Sequence, residues 1–120
     1  DNFFALLIKS IKNKYGLLTA IDLSNGKKHW QHKTKNPLVG GVLHTSGGLV
    51  FSGEGSGEFF ALDAENGNKL WSYTTQYGVN APPVTYQVNG KQYVAVAAGG
   101  NKLQGYPVGD ELMVFALNED

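Results

Sequence analysis

Asp22 and Asp63 are the residues of this sequence whose type and spacing most invite a catalytic interpretation. Each opens a short polar stretch that contains Asn-Gly and lies between two apolar runs. At the start of such a turn, an aspartate accepts hydrogen bonds from backbone N–H groups one or two residues ahead. We therefore predict that both aspartates stabilise turns and do not act in catalysis.

The other polar groups also lack the spacing of a chemical site. His29 and His32 are three positions apart on a predicted strand, so they should face opposite sides and not share a metal. The stretch 53–57, Gly-Glu-Gly-Ser-Gly, lacks the Gly-Lys-Ser/Thr ending and the following helix of a phosphate loop. Residues 63–67 lack the alternating ligands of a calcium loop. We predict turns at both places, and neither catalytic residues nor metal ligands in this chain.

The composition excludes several classes of function. Ten lysines balance ten acidic residues, and there is no arginine, which argues against a nucleic-acid surface. Cysteine is absent, so no disulfide framework or thiolate metal site can form. No signal peptide or membrane span is visible, because the longest apolar run, residues 3–8, is far shorter than the ~20 residues needed to cross a bilayer.

The sequence contains a repeat with a period of 41 positions. Five residues, Ala20, Asp22, Asn25, Gly26 and Trp30, recur as Ala61, Asp63, Asn66, Gly67 and Trp71. A repeat of about 40 residues made of short strands is typical of a β-propeller blade. Since a propeller needs ~4–8 such blades, we interpret the 120-residue chain, which starts at Asp1, as a fragment of a longer protein.

The turn spacing predicts an all-β fold, a partial β-propeller with one complete four-stranded antiparallel blade and two partial blades. Residues 16–35 are expected to end one blade, 40–75 to form the complete blade, and 80–117 to form the last, incomplete one. The predicted strands are 17–23, 28–33, 41–45, 49–52, 58–63, 69–74, 84–88, 92–98 and 112–117. Residues 3–8 fit a buried strand or the covering segment of an earlier blade better than a membrane-surface helix, for which they are poorly patterned.

Trp30 and Trp71 each end the outer strand of a repeat. A tryptophan there can lie flat on the next blade and donate its N–H to a carbonyl, and Ala20 and Ala61 leave room for the ring. We predict that both tryptophans are buried between blades. Replacing Trp71 by alanine is then predicted to cost roughly 3–5 kcal/mol.

The motif Ala-x-Asp-x-x-x-Gly-x-x-x-Trp resembles the tryptophan-docking motif of the pyrroloquinoline quinone (PQQ) dehydrogenases. Further stretches, 49–53, 81–86, 89–100 and 109–117, resemble the C-terminal end of that family. The resemblance covers residues 16–117 and implies that the chain is a C-terminal fragment of the propeller. It implies an eight-bladed propeller that holds PQQ and a calcium ion near its axis.

The resemblance also implies where the cofactor would be contacted. In alcohol-oxidising members, a tryptophan often precedes the Gly-Gly that matches Gly40-Gly41, and another can follow the one that matches Gly99-Gly100. Here those positions are Val39 and Asn101. The expected cofactor positions are therefore Val39, Gly40, Gly100 and Asn101. The calcium ligands, the catalytic aspartate and the ring-stacking tryptophan belong to earlier blades, so this chain alone is expected to bind neither PQQ nor calcium and to be inactive.

By the same resemblance, the parent protein is expected to be a PQQ-dependent alcohol or sugar dehydrogenase of the bacterial periplasm. The family transfers a hydride to the quinone with the help of an aspartate base and calcium as a Lewis acid. The implied partners are the alcohol or sugar and an electron acceptor, with no nucleic acid. The alternative is a non-enzymatic scaffold, such as an outer-membrane assembly lipoprotein. The fragment itself is expected to self-associate through strand edges, with residues 112–117 pairing with residues 3–8 of a neighbour.

Overall fold

The structure is a computed structural model that describes residues 4–11, 14–100 and 109–117. These residues form ten strands and no helix, which confirms the all-β prediction, and therefore contain no helix that could cross a membrane. The strands are β1 (Phe4–Ile11), β2 (Tyr15–Asp22), β3 (Lys28–Thr34), β4 (Leu38–His44), β5 (Leu49–Glu54), β6 (Glu58–Asp63), β7 (Lys69–Thr74), β8 (Val84–Val88), β9 (Lys91–Ala98) and β10 (Glu111–Ala116).

The strands form three antiparallel sheets in chain order. The first sheet has the order β1-β2-β3, the second β4-β5-β6-β7 and the third β10-β9-β8. The second sheet is thus a complete four-stranded blade, and the sheets on either side each contain three strands. This arrangement confirms the predicted partial propeller. It also shows that the apolar N-terminal run forms a strand, β1, and not a helix.

Alternation of side chains gives each sheet two faces. We call the face toward the next sheet along the chain the forward face, and the opposite one the backward face. One apolar cluster joins the forward face of the first sheet to the backward face of the second. Its buried members are Leu18, Ala20, Trp30, Leu38, Val50, Phe60 and Leu62. A second cluster joins the second sheet to the third, with Phe51, Phe59, Ala61, Val79, Val94, Val96, Ala98 and Met113.

The two repeated turns, 22–27 and 63–68, share the same backbone hydrogen bonds, and in each the aspartate carboxylate accepts the N–H two residues ahead. The Asp22 carboxylate accepts bonds from the N–H and hydroxyl of Ser24 at 2.8 and 2.6 Å, and these bonds hold the pKa of Asp22 below its ordinary value. The Asp63 carboxylate accepts one from the N–H of Glu65 at 2.8 Å. The predicted turn role of both aspartates is therefore confirmed.

The Asn-Gly pairs do not all form the same turn. In the Asn89-Gly90 hairpin both residues have positive φ, 51° and 79°, as a two-residue turn of this type requires. In the turn 22–27, Gly26 has a positive φ but Asn25 does not. The side chain of Asn25 instead accepts a hydrogen bond from the N–H of Lys27 at 2.8 Å. The turn that begins at Asp22 is therefore a longer loop, and not the two-residue turn that the Asn-Gly pair predicted.

Strand β4 begins at Leu38, three residues earlier than predicted. Leu38 is buried and pairs with Glu54 of β5, although it directly follows Pro37. The pairing is irregular between Leu38 and Val42 and becomes regular only from Val42 onward. This irregular stretch contains three of the residues singled out in the sequence, Val39, Gly40 and Gly41.

Candidate functional site

Two of the four predicted cofactor positions, Gly40 and Gly100, lie against the segment that joins β7 to β8. Gly40 is buried, and a Cβ atom built on it would lie 2.8 Å from the carbonyl oxygen of Val79 and 3.0 Å from that of Ala81. Gly100 donates its backbone N–H to the carbonyl of Gly78 at 2.8 Å. Close backbone packing therefore accounts for glycine at position 40 by itself.

Of the other two predicted cofactor positions, only Val39 lies within the described residues. Val39 is half-buried in β4, directly before Gly40. Asn101 lies outside the described residues. The structure thus brings Gly40 and Gly100 to one connecting segment and places Val39 beside the first of them. The role of all four residues as cofactor contacts stays a prediction.

Glu54 is a buried carboxylate that sequence reasoning did not single out. It is 4% exposed and ends β5. Its oxygens accept bonds from the Ser56 hydroxyl at 2.9 Å and, at 3.3 and 3.4 Å, from the backbone and side-chain N–H groups of Asn36. Its backbone carbonyl accepts the N–H of Val79 at 3.1 Å. Glu54 therefore ties the connections before β4 and before β8 to the same turn.

Thr75, Tyr77 and Glu111 form a second group that the sequence analysis missed. The buried Thr75 donates its hydroxyl hydrogen to the Glu111 carboxylate and accepts the N–H of Tyr77 at 3.3 Å. The Tyr77 ring lies where a side chain on Gly109 would be. Since Gly109 also donates to the Gly99 carbonyl at 3.0 Å, both ends of the 99–109 connection are held at this place.

The 41-residue repeat could have indicated one member of this group, Thr75. Thr75 lies 41 positions after Thr34, the same offset as the repeated turn residues. Thr34 is also buried, and its hydroxyl donates to the carbonyl of Asn36 at 2.6 Å. The repeat therefore continues past the tryptophan and includes a threonine that fixes the connection to the next blade.

The described residues do not assemble a metal site. Among them, no group of three or more His, Cys, Asp or Glu side chains is close enough to hold an ion. Over the same residues, every buried side-chain nitrogen or oxygen has a hydrogen-bond partner within the chain. The resident polar groups thus do not by themselves fit PQQ or its metal ion, and no catalytic step can be derived from them.

The two histidines contact different groups. His29 Nε2 lies 2.7 Å from the carbonyl oxygen of Glu65, and the His32 ring packs 5.4 Å from the Phe60 ring. Strict alternation fails near His29 because the register of the β2–β3 ladder shifts between Ala20 and Ile21. Burial, followed by the charge of Lys69, lowers the pKa of His32. That the two histidines share no metal stays a prediction.

Trp30 packs between the first and second sheets. It pairs with Ala20, is 7% exposed, and donates its indole N–H to the carbonyl of Ala64 in the second sheet at 2.8 Å. Its ring also covers Gly67, where an added Cβ would lie 2.6 Å from the ring. The predicted burial of this tryptophan between two blades is confirmed.

The predicted burial of Trp71 is wrong. Trp71 pairs with Ala61 as expected and meets the Phe115 ring edge-on at 4.8 Å, but it is 38% exposed. Among the described residues, the Trp71 ring contacts Phe59 and Phe115 edge-on, whereas the Trp30 ring is covered by Ala64 and Gly67 of the next sheet.

Comparison with known proteins identifies the family. The sequence model of the PQQ family, "Glucose/ethanol/alcohol dehydrogenase, beta-propeller domain", matches residues 4–94. Quinoprotein alcohol dehydrogenase PedE of Pseudomonas putida and quinoprotein ethanol dehydrogenase of Pseudomonas aeruginosa are each 46% identical over 84 residues, 70% of this chain. The dehydrogenase subunit of alcohol dehydrogenase (quinone) from Acetobacter aceti is 46% identical over 98 residues, 82% of the chain.

Solved structures agree with the sequence match. Quinohemoprotein alcohol dehydrogenase from Comamonas testosteroni superimposes on 85% of the chain with a TM-score of 0.76 and 34% identity, and the matched part is 16% of that protein. A europium-containing methanol dehydrogenase superimposes on 88% of this chain and 24% of its own, with a TM-score of 0.77 and 29% identity. BamB from Moraxella catarrhalis superimposes on 82% of this chain and 32% of its own, with a TM-score of 0.54 and 21% identity. This match shows a likeness of fold alone.

This chain belongs to the PQQ β-propeller family of glucose, ethanol and alcohol dehydrogenases. It spans only 13 or 14% of the length of the three relatives named above. The sheets described here therefore correspond to a small part of such a propeller.

Proposed function

We propose that this chain supplies one complete blade and two partial blades beside it in a PQQ-dependent alcohol dehydrogenase, as its C-terminal part. The observation that carries the proposal is the 46% identity to quinoprotein alcohol and ethanol dehydrogenases over most of the chain. The names of these relatives favour an alcohol over a sugar as the substrate. When bound, PQQ accepts the hydride from the substrate. This chain contributes packed blades that form part of the propeller around the cofactor.

The same proposal includes a metal ion, an electron acceptor and a compartment. We expect calcium beside PQQ in the longer protein, and the likeness to a europium-containing dehydrogenase supports a metal ion there without favouring calcium. An acceptor must remove the electrons that the cofactor takes up. The family resemblance supports the bacterial periplasm as the compartment, and cell fractionation of the longer protein tests it.

We further propose that Val39, Gly40, Gly100 and Asn101 lie next to the cofactor in the longer protein. The support is that Gly40 and Gly100 contact the same segment, residues 78–81. Val39 and Asn101 replace residues that are often tryptophans in alcohol-oxidising members. The substitution Val39→Trp in the longer protein should therefore lower the Kd for PQQ, which a PQQ titration measures.

A chimeric enzyme tests the proposed function directly. In quinoprotein ethanol dehydrogenase from Pseudomonas aeruginosa, the stretch that matches this chain is replaced by the matching residues of this chain. We expect ethanol-dependent dye reduction with PQQ and calcium at a rate within about tenfold of the unchanged enzyme, since tenfold corresponds to about 1.4 kcal/mol in the barrier. A chimera that melts like the parent enzyme but has lost its activity would contradict the proposal.

The isolated chain is the matched control for the chimera. It should give no dye reduction above the buffer blank with PQQ, calcium and either ethanol or glucose, because the described residues do not assemble a metal site. Activity of the isolated chain would show that a complete catalytic site lies within these residues.

We also propose that the isolated chain self-associates through strand edges. β10 lies at the edge of the third sheet and β1 at the edge of the first, and neither has a strand on its outer side among the described residues. Such an edge is a template for another strand. Light scattering at micromolar concentration should show oligomers. A monomer whose amides exchange rapidly along residues 112–117 would show that the edge stays unpaired.

A further inference from the structure

The sequence contains three Asn-Gly pairs, at 25–26, 66–67 and 89–90, and each lies in a turn between two strands. All three asparagines are exposed, so contact with water does not distinguish them. An Asn-Gly pair can react with itself, because glycine has no side chain to shield its backbone nitrogen from the asparagine side-chain carbonyl. Whether it reacts in a folded chain depends on how firmly these two groups are held.

In the first two pairs, both reacting groups are hydrogen-bonded. The Asn25 side-chain oxygen accepts the N–H of Lys27 at 2.8 Å, and the N–H of Gly26 donates to the Asp22 carbonyl at 2.7 Å. The equivalent groups of the turn 63–68 form the same two bonds, each at 2.8 Å. In both turns, the asparagine side chain and the glycine N–H must leave their partners before they can meet.

The third pair has neither of these bonds. Ladder pairing joins Val88 to Lys91, and Asn89 and Gly90 are the two residues between them. Among the residues that the structure describes, neither the Asn89 side chain nor the Gly90 N–H has a hydrogen-bond partner. Apart from the chain neighbours of Gly90, no atom lies within 4 Å of the place where its Cβ would be. The Asn89 side chain can therefore turn toward the Gly90 nitrogen without breaking a hydrogen bond.

We propose that Asn89 is a site of spontaneous deamidation, at which the side-chain amide converts to aspartate and isoaspartate through a cyclic imide. The Gly90 nitrogen gives up its proton to solvent base and forms a bond to the Asn89 side-chain carbonyl carbon. The bond from that carbon to the side-chain nitrogen breaks, and this nitrogen takes up a proton and leaves as ammonia. Water then opens the ring at either carbonyl. The reaction needs no enzyme and does not depend on the proposed dehydrogenase activity.

The isoaspartate product changes the turn, because the main chain then runs through the former side chain and is one carbon atom longer. The pairing of Val88 with Lys91 depends on a two-residue turn with positive φ at both residues. In the described sheet β8 pairs with β9 alone. We therefore expect the modification to loosen β8, beginning at the turn.

The rates of conversion in the folded chain test the proposal. The 120-residue chain is kept in mildly alkaline buffer, and samples are cut after lysine with trypsin, which places the three pairs in separate peptides, 15–27, 36–69 and 70–91. Mass spectrometry measures the conversion of amide to acid, and fragmentation assigns its position. We expect conversion at Asn89 to be faster than at Asn25 or Asn66 by about tenfold or more, because those two pairs must first break two hydrogen bonds.

The matched control is the same chain in guanidinium chloride, where the turns are unfolded and the three pairs should convert at similar rates. A freshly prepared Asn89→Asp variant is the second control, because it carries the charge of the product without the longer backbone. Amide hydrogen exchange along residues 84–88 should be faster in the isoaspartate form, purified by ion exchange, and unchanged in Asn89→Asp.

Other results overturn the proposal. Equal conversion at Asn25 and Asn89 in the folded chain would show that the bonds of the longer turns do not protect them. The same ranking in guanidinium chloride would mean that local sequence, and not the fold, sets the rates. If Asn89 converts only in the unfolded chain, the hairpin protects it. If exchange along 84–88 is the same in the isoaspartate form and in Asn89→Asp, the inferred loosening of β8 is wrong. None of these results bears on the ethanol activity of the chimera, so the two proposals fail separately.

Discussion

Replacing Trp30 by alanine is expected to lower the free energy of unfolding by about 3–5 kcal/mol, the usual range for removing a large buried aromatic side chain. The ring is 7% exposed, and its N–H is bonded to the Ala64 carbonyl across the contact between two sheets. Its loss leaves that carbonyl without its donor and opens a cavity above Gly67. Urea denaturation followed by far-ultraviolet circular dichroism, at a concentration where the chain is monomeric, measures the change.

Trp71→Ala is the matched control, because it is the same substitution at the equivalent position of the repeat. We expect a loss of at most about 2 kcal/mol, since Trp71 is 38% exposed and keeps mainly edge contacts with Phe59 and Phe115. This replaces the larger loss that the sequence alone predicted for Trp71. Equal losses for the two variants would mean that the indole–carbonyl contact of Trp30 adds nothing.

Phe59→Ala should likewise cost about 3–5 kcal/mol and loosen the second sheet from the third. Phe59 is fully buried, and its ring centre lies 5.8 Å from that of Phe51, 5.9 Å from that of Trp71 and 5.7 Å from that of Phe115. Removing the ring therefore takes a shared neighbour from aromatic residues of two sheets. The same denaturation experiment measures the loss.

Phe59→Leu is the conservative control. Leu18 occupies the equivalent position of the first sheet, 41 residues earlier, and is also fully buried. A leucine at position 59 should therefore fit the strand and cost less than about 1.5 kcal/mol, as is usual for swaps that roughly conserve volume. A loss below about 1 kcal/mol for the alanine variant would show that the contact between these sheets does not depend on this ring.

Features with local causes could be predicted from the sequence. The turn at Asp22 depends on bonds to Ser24, two residues away, and the Asn89-Gly90 hairpin on the φ angles of its two residues. The repeat then gave the blade, because residues at one period perform one role, as Ala20 opposite Trp30 and Ala61 opposite Trp71 show.

What could not be predicted depends on residues far apart in the chain. The repeat marks Thr75, but its bond to Glu111 spans 36 positions, and no periodicity marks Glu111. The bond between Asn36 and Glu54 spans 18 positions, and no periodicity marks either of these residues. The exposure of Trp71 depends on which groups of the third sheet contact its ring, and its own repeat does not determine that. The candidate cofactor positions came from resemblance, since the packing of Gly40 against Val79 is visible only in the fold.

The contact between Trp30 and Gly67 makes two copies of one turn differ in the substitutions they can accept. Gly26 and Gly67 hold the same place in the repeated turn, with φ of 72° and 78°. An added Cβ would meet nothing within 4 Å at Gly26, but it would strike the indole at Gly67. Within this chain alone, asparagine, which adopts such φ angles more readily than other side chains, can therefore replace Gly26 without a steric clash. At position 67 the same substitution would displace the Trp30 indole, so the tolerance of each turn depends on whether the preceding blade lies over it.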